Sequence, residues 1–344
     1  MSEIVPPSID VVIPVYNAPK LTRRCIDSVV SCLSKSISHI YIQDDASGIE
    51  TREMLDNLPY NIVHISHSIK NQGFGTSVNV AISRSSASYI LVLNSDTEIN
   101  ENILLPLYTA MSNDSQLAVI MPISNDYINQ NFDRYLRQPG NYILTHRLRG
   151  YAFLIRRSAF NEIGGFDPIF GRGYYEDIDL GRRIYERNWR IGVHPEAYIH
   201  HIGGGSFGRG SDYRELKRRN RAIYFSRYPE AERNVIFFSG NFSLTCVPPD
   251  LTNAINDVFK RGGLVHWLAL EQPTKIPFLH MKNNLINLSI IVKLVVLGGW
   301  LRRDRRISDV WLLLPTPPSF LRKILVLLSH IRGIKVFTWN KNIV

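Results

Sequence analysis

Ile9-Asp10-Val11-Val12-Ile13-Pro14-Val15, followed at once by Tyr16-Asn17, decides how this chain folds. The run is short, apolar and β-branched, and Pro14 and Asn17 end it. That length and composition describe a buried strand near the centre of a sheet. Residues 20–33 then carry apolar side chains at helical spacing, so the strand feeds a helix. Working outward, the pattern predicts strands at 39–42, 62–66, 89–93 and 153–156, with helices at 75–83 and 178–187. Strands alternating with helices predict an α/β fold with a mainly parallel central sheet and right-handed crossovers. Ligands of such sheets bind beyond the carboxyl ends of the strands. The polar motifs of this chain sit just past such ends.

Composition narrows the class. Of 344 residues, 44% are hydrophobic and 20% charged, the balance of a globular protein with a sizeable core. Three cysteines, Cys25, Cys32 and Cys246, form no C-x-x-C pair and cannot all pair with one another, which predicts a reducing, cytoplasmic setting. The first ten residues lack the basic and apolar runs of a secretory signal. The most apolar stretch, 285–301, is shorter than a membrane span needs and contains Lys293, so it reads as a buried helix, with a helix lying at a membrane surface as the second reading. The net charge of +10 attracts polyanions. It clusters at 209–227 and 302–306, without a nucleic-acid motif. An anionic bilayer at the inner face of the cell membrane, touched peripherally, or a lipid-diphosphate acceptor is the expected partner, and nucleic acid is not.

Five polar groups carry candidate chemistry, and each has a bland alternative. Asp44 and Asp45 follow a strand end, where a carboxylate accepts the N–H of a pyrimidine or a ribose hydroxyl, or simply caps a turn. Asn71-Gln72-Gly73-Phe74-Gly75 leads into a helix, where free N–H groups suit a phosphate or sugar; a plain turn explains it equally. Asn94-Ser95-Asp96 directly follows strand 89–93, where Asp96 is placed to hold a divalent cation or to cap a helix; Glu98 either helps or faces solvent. Glu176-Asp177-Ile178-Asp179 sets three carboxylates before a helix, more than capping explains, and suggests a general base. His200 and His201 precede Gly203-Gly204-Gly205-Ser206, which offers an imidazole to a cation or diphosphate. His146 and His194 lack such a context and read as structural.

Taken in order, I-D-V-V-I-P-V-Y-N, Q-D-D-A-S, N-Q-G-F-G-x-x-x-N, L-N-S-D, G-G-F-D-P-x-F-x-x-x-Y-Y-E-D-I-D-L-x-x-R and H-I-G-G-G-S resemble family 2 glycosyltransferases of the GT-A fold, above all their bacterial rhamnosyl- and galactosyltransferase-like members. The resemblance covers roughly residues 9–229. It implies that Pro14, Tyr16 and Asn17 line the nucleotide pocket, that Asp44 reads the base, and that Asn71, Gly73 and Ser95 lie along the donor. It implies Asp96 as the last acid of a D-x-D-type motif whose first acid is Asn94 here, leaving one carboxylate for Mg²⁺ or Mn²⁺. His201 matches the late histidine that meets the metal or diphosphate, with His200 as neighbour. Gly150 to Ala152 form the floor between donor and acceptor. Asp177 is the implied catalytic base, with Glu176 beside it near the acceptor. The implied reaction is inverting transfer from a UDP- or dTDP-sugar to a hydroxyl of a saccharide or lipid-linked acceptor, as in bacterial surface polysaccharide synthesis.

The expected domains are 1–230, of GT-A type, and 231–344, a small α/β or helical module. In the latter, 309–314, 319–331 and 335–339 read as strand, helix and strand, faintly like the first strands of GT-B enzymes; a membrane-docking tail is the competing reading. Two rival functions remain. A nucleotidyltransferase shares the topology, but its glycine- and lysine-rich loop is replaced here by Tyr16-Asn17-Ala18-Pro19-Lys20-Leu21. A non-catalytic nucleotide-sugar-binding module would be expected to lose Asp96 or Asp177, and both are present.

Overall fold

The computed structural model describes residues 8–127, 129–203, 211–240, 249–271, 273, 275–279, 281–285, 307–313, 323, 330 and 333–339. The chain divides into two compact units, Met1–Asn131 with Arg137–Tyr224, and Phe132–Leu136 with Phe225–Val344.

The first unit runs β1 (Ile9–Val15), α1 (Pro19–Leu33), β2 (Ile40–Asp44), α2 (Ile49–Asp56), β3 (Val63–His67), α3 (Phe74–Arg84), β4 (Tyr89–Leu93), β5 (Thr97–Glu98), α4 (Leu104–Asn113), β6 (Leu117–Ser124), β7 (Ile143–Thr145), β8 (Ala152–Arg156), α5 (Arg157–Ile163), α6 (Glu176–Glu186), β9 (Arg190–His201) and α7 (Ser211–Arg227). All seven β1 residues are buried, as the opening run predicts for a central strand. Asp10 is buried too because its carboxylate accepts from His39 N (3.0 Å) and the Ser85 hydroxyl (2.6 Å). Pro19 starts α1, where a missing N–H costs nothing, and Thr22, Cys25, Ile26, Val29 and Leu33 turn inward at helical spacing.

The sheet order is β3-β2-β1-β4-β8-β6-β9-β5, with β7 paired to β9. β1 is parallel to β2 and β4, β2 to β3, and β6 to β9. β8 departs from the parallel expectation by running antiparallel to both β4 and β6. The register Leu93↔Ala152 sets the end of β4 beside the start of β8. Asn94 N accordingly donates to Tyr151 O (2.8 Å). Helix α6 starts at Glu176, two residues earlier than its apolar spacing predicts, so the carboxylates lie in its first turn.

The second unit holds β10 (Asn234–Gly240), α8 (Pro249–Lys260), β11 (Leu264–Ala269), β12 (Lys282–Leu285), β13 (Asp309–Leu312) and β14 (Lys335–Thr338). They form a parallel sheet in the order β12-β11-β10-β13-β14. Phe237, Phe238 and Trp267 are fully buried in it. The two strands expected near the end of the chain form and pair in parallel. Apart from residues 285, 323 and 330, the stretches 285–301 and 319–331 lie outside the described residues, as do Arg302, Arg303, Arg305 and Arg306. Among the described residues no helix is long and apolar enough to cross a membrane.

Candidate active site

The loops beyond β1, β2 and β4, the start of β8, the end of β9 and the N-terminus of α6 meet around a cavity of about 510 Å³ in the first unit. Of the residues expected there, Pro14, Tyr16, Asn71, Gly73, Asn94, Ser95, Asp96, Gly150, Glu176, Asp177 and His201 line it. Asn17 and Asp44 do not. Asn17 N donates to the Ser47 hydroxyl (2.7 Å) and its Oδ1 accepts from Gly48 N (2.9 Å), so it fastens the loop after β1 to the loop after β2. Asp44 is fully buried, with Ser47 N on one oxygen (3.0 Å) and His67 Nδ1 on the other (2.8 Å). It shapes the loop and does not line the cavity.

The next residue, Asp45, does reach the cavity. Its two oxygens accept from Gln72 N and Gly73 N, each at 2.7 Å. This joins the loop after β2 to the loop that enters α3. Gly73 has φ 93° there, and a Cβ on it would lie 2.1 Å from Gly171 O. Only glycine fits.

Across the cavity, Asp96 is buried. Its Oδ1 has no hydrogen-bond partner and stands 3.5 Å from His201 Nε2. Pairing of β5 with β9, Thr97↔His201, delivers the histidine. Its ring stacks on Tyr151, with centroids 4.8 Å apart and planes at 22°. His200 is exposed on the opposite strand face, and Glu98 is bound to Arg24 (2.7 Å) outside the cavity. An unpartnered buried carboxylate beside an imidazole fits two ligands of a divalent cation. Among the described residues no third His, Cys, Asp or Glu joins them, so donor oxygens and water would complete such a shell.

At the N-terminus of α6, Asp177 accepts from Ile178 N (2.8 Å) and Gly150 N (3.2 Å). Burial pushes its carboxyl above the ordinary range, and those backbone donors pull part of the way back. Glu176 is buried, and its Oε2 has no hydrogen-bond partner. Burial, and then the charge of Asp177, push it up to about 8. Burial and the repulsion between the two carboxyls therefore disfavour two charges here at once. Asp179 is fully buried and engaged with Arg183 (2.8 Å), which takes it out of the chemistry.

Further lining residues received no individual role from the sequence. Tyr151 supports the histidine. Arg149 brings positive charge, paired with Asp126 (2.9 Å) and lying over Tyr127. Lys217 of α7 and Tyr174 and Tyr175 before α6 complete this side. Tyr151 lies within the Gly150–Ala152 segment, and Tyr174 and Tyr175 within the run that ends in Glu176 and Asp177, whereas Arg149 and Lys217 lie in no motif with a chemical reading.

Known proteins resemble this chain in sequence and in fold. A glycosyltransferase GlyG of Streptococcus pneumoniae is 26% identical over 165 residues, covering 47% of this chain and 50% of its own. An N-acetylglucosaminyl-diphospho-decaprenol L-rhamnosyltransferase of Mycobacterium tuberculosis is 42% identical over 62 residues, 18% of this chain and 20% of its own. The chain thus spans half or less of the length of these relatives. The solved mannosyltransferase PcManGT from Pyrobaculum calidifontis, in complex with GDP-Man and Mn2+, superposes with a TM-score of 0.51 at 16% identity, covering 64% of each chain. That likeness shows the GT-A fold. Residues 10–172, a little under half of the chain, match the family described as Glycosyl transferase family 2.

Proposed function

We propose that the protein is an inverting glycosyltransferase that moves a sugar from a nucleoside-diphosphate donor to a hydroxyl of a saccharide or lipid-linked acceptor. One observation carries this reading: the Asp177 carboxyl and the Asp96–His201 pair face a single cavity. The acceptor hydroxyl hands its proton to Asp177, and its oxygen attacks the anomeric carbon from the face opposite the diphosphate. The C–O bond to the diphosphate breaks as the new glycosidic bond forms. Glu176, protonated at neutral pH, donates a hydrogen bond to the acceptor and spares the site a second negative charge. Asp96 and His201 would hold Mg²⁺ or Mn²⁺, which neutralises charge on the departing diphosphate when bound. The backbone at Gly73 and the N-terminus of α3 flank the donor.

Asp45 replaces Asp44 as the reader of the base. Its two backbone bonds leave further lone pairs, which suit the imide N–H of a UDP- or dTDP-linked donor. The relatives act on a decaprenol-linked acceptor or are named only as glycosyltransferases, which agrees with a role in bacterial surface polysaccharide synthesis. Arg302, Arg303, Arg305 and Arg306 supply the charge for peripheral contact with an anionic membrane on its cytoplasmic face. The experiment is a donor screen that measures free nucleoside diphosphate and glycosylated product with and without divalent cation. Product formed from a pyrimidine donor supports the reading. Nucleotide binding without turnover on any acceptor would favour a binding module instead.

A further inference from the structure

Helix α7 places Tyr213, Lys217, Asn220 and Tyr224 at spacings of four, three and four residues, on one helical face. That face meets the loop leading into α6. Tyr213 packs edge-on against Tyr174, with centroids 4.8 Å apart, and Tyr224 lies 5.5 Å from Tyr175. Between them sits Asn220, fully buried. Its Nδ2 donates to Phe170 O (2.6 Å), Gly173 O (2.7 Å) and Tyr174 O (3.0 Å). Its Oδ1 accepts from Arg219 Nη1 (3.0 Å). Two amide hydrogens serve three carbonyls, so one is shared.

The loop held this way is not relaxed. Tyr174 has φ 70° and Tyr175 φ 75°, the left-handed region that bulky residues rarely enter. Such backbone persists only where its surroundings over-determine it. Directly after these two tyrosines come Glu176 and Asp177. Their direction into the cavity is set by the turn that the tyrosines make. Asn220 itself does not line the cavity.

We infer that Asn220 is a positioning residue for sugar transfer: its amide locks the strained 170–175 loop in the one shape that aims Glu176 and Asp177 at the acceptor. It acts through the backbone and touches no substrate. The inference rests on the proposed reading of Asp177 as the base. Asn220 sits in the run Lys217-Arg218-Arg219-Asn220-Arg221, where four cations hide a buried amide from any reading by composition.

The test compares Asn220→Ser, Asn220→Ala and Asn220→Asp in the full chain, well below each variant's melting temperature. Serine keeps one short donor, alanine none, and aspartate keeps the acceptor to Arg219 but loses both donors. The expected kcat falls in that order, by about 10-fold for serine and about 100-fold for alanine and aspartate, since a displacement near 1 Å costs that much. The dissociation constant for nucleoside diphosphate stays within about twofold, because the Asp96 side is untouched. Amide exchange across 171–177 quickens while that of β1 and β4 does not. The acid limb of the pH profile moves to lower pH as Asp177 gains solvent. If alanine and aspartate variants fail to fold, the serine variant carries all four readouts. Parental kcat with only a lowered melting temperature would make Asn220 a stabilising contact and overturn the inference. A wild-type chain that transfers no sugar overturns the functional reading along with it. An active wild type beside an equally active alanine variant overturns the inference alone.

Discussion

The backbone N–H of Gly150 donates to the carboxylate of Asp177 at 3.2 Å, which ties the start of β8 to the first turn of α6. Because β8 runs antiparallel to β4, the same short segment also reaches Asn94. One backbone stretch thus spaces the proposed base from the proposed cation site.

Glu176 sets the first prediction. Its folded pKa stands near 8, above that of an exposed glutamate, so between pH 4.5 and about 8 the folded state binds more protons than the unfolded one. Stability contributed at this position therefore falls as pH rises through that window. Ionised Glu176 also adds a charge that repels the diphosphate. The pH–rate profile is expected to fall on its alkaline side with an apparent pKa near 8. Glu176→Gln removes that fall and keeps the acid limb. It also gains stability over the parent at pH 9 relative to pH 4. Calorimetric melting and pH–rate curves of the two proteins check both statements, and an unchanged alkaline limb contradicts the assignment.

Asp96 and His201 set the second. Asp96→Ala and His201→Ala should each weaken divalent-dependent binding of nucleoside diphosphate, with little change in the binding measured under chelation. A loss of about 10–100-fold in affinity for Mn²⁺ is the scale set by removing one contact of a cation site. Titration calorimetry with and without Mn²⁺ reads this directly. Full turnover after exhaustive chelation would show that the pair holds no catalytic cation.

Asp44 and Asp45 separate in the third. Asp45→Asn leaves two backbone donors with one acceptor and opposes an N–H to an N–H, so donor affinity should drop by about 10-fold or more, as for a bond to a charged group. Asp44→Asn should lower the melting temperature and spare affinity, since its partners are Ser47, His67 and Arg52, none of which lines the cavity. UDP and dTDP should bind more tightly than GDP to the parent. Tighter GDP binding would remove Asp45 as reader of a pyrimidine.

The basic stretch 302–306 sets the fourth. Vesicles rich in anionic lipid should retain the full chain at low salt and release it at high salt, as screening requires. Replacing Arg302, Arg303, Arg305 and Arg306 with glutamine should cut the vesicle-binding constant by about 10²–10³-fold, at ~1 kcal/mol per basic residue. Unchanged retention would place the membrane contact elsewhere.

The legible parts of this protein are local ones. β1, α1 and β4 follow from apolar spacing within single segments. β9 escaped because Arg190, His194, Glu196, His200 and His201 break its apolar run, and β8 gave no sign of its direction, which only the distant pairing Leu93↔Ala152 fixes. The same limit governs the site. Asp44 and Asp45 are neighbours on opposite faces of a strand end, and sequence does not say which faces the cavity. His200 and His201 pose that choice again, and pairing with β5 resolves it. Asn220 shows the remaining gap, for its partners are carbonyls that carry no sequence signal.

The most direct measurement is turnover and nucleoside-diphosphate affinity of Asp177→Asn beside the parent. The substitution keeps size and removes the charge that accepts the acceptor's proton. Loss of such a base costs about 10²–10⁴ in rate. The account predicts that kcat collapses on this scale while the dissociation constant for nucleoside diphosphate stays within about twofold of the parent. Turnover that survives the substitution would contradict Asp177 as the base. Donor binding lost together with turnover would assign it to the metal or the fold instead.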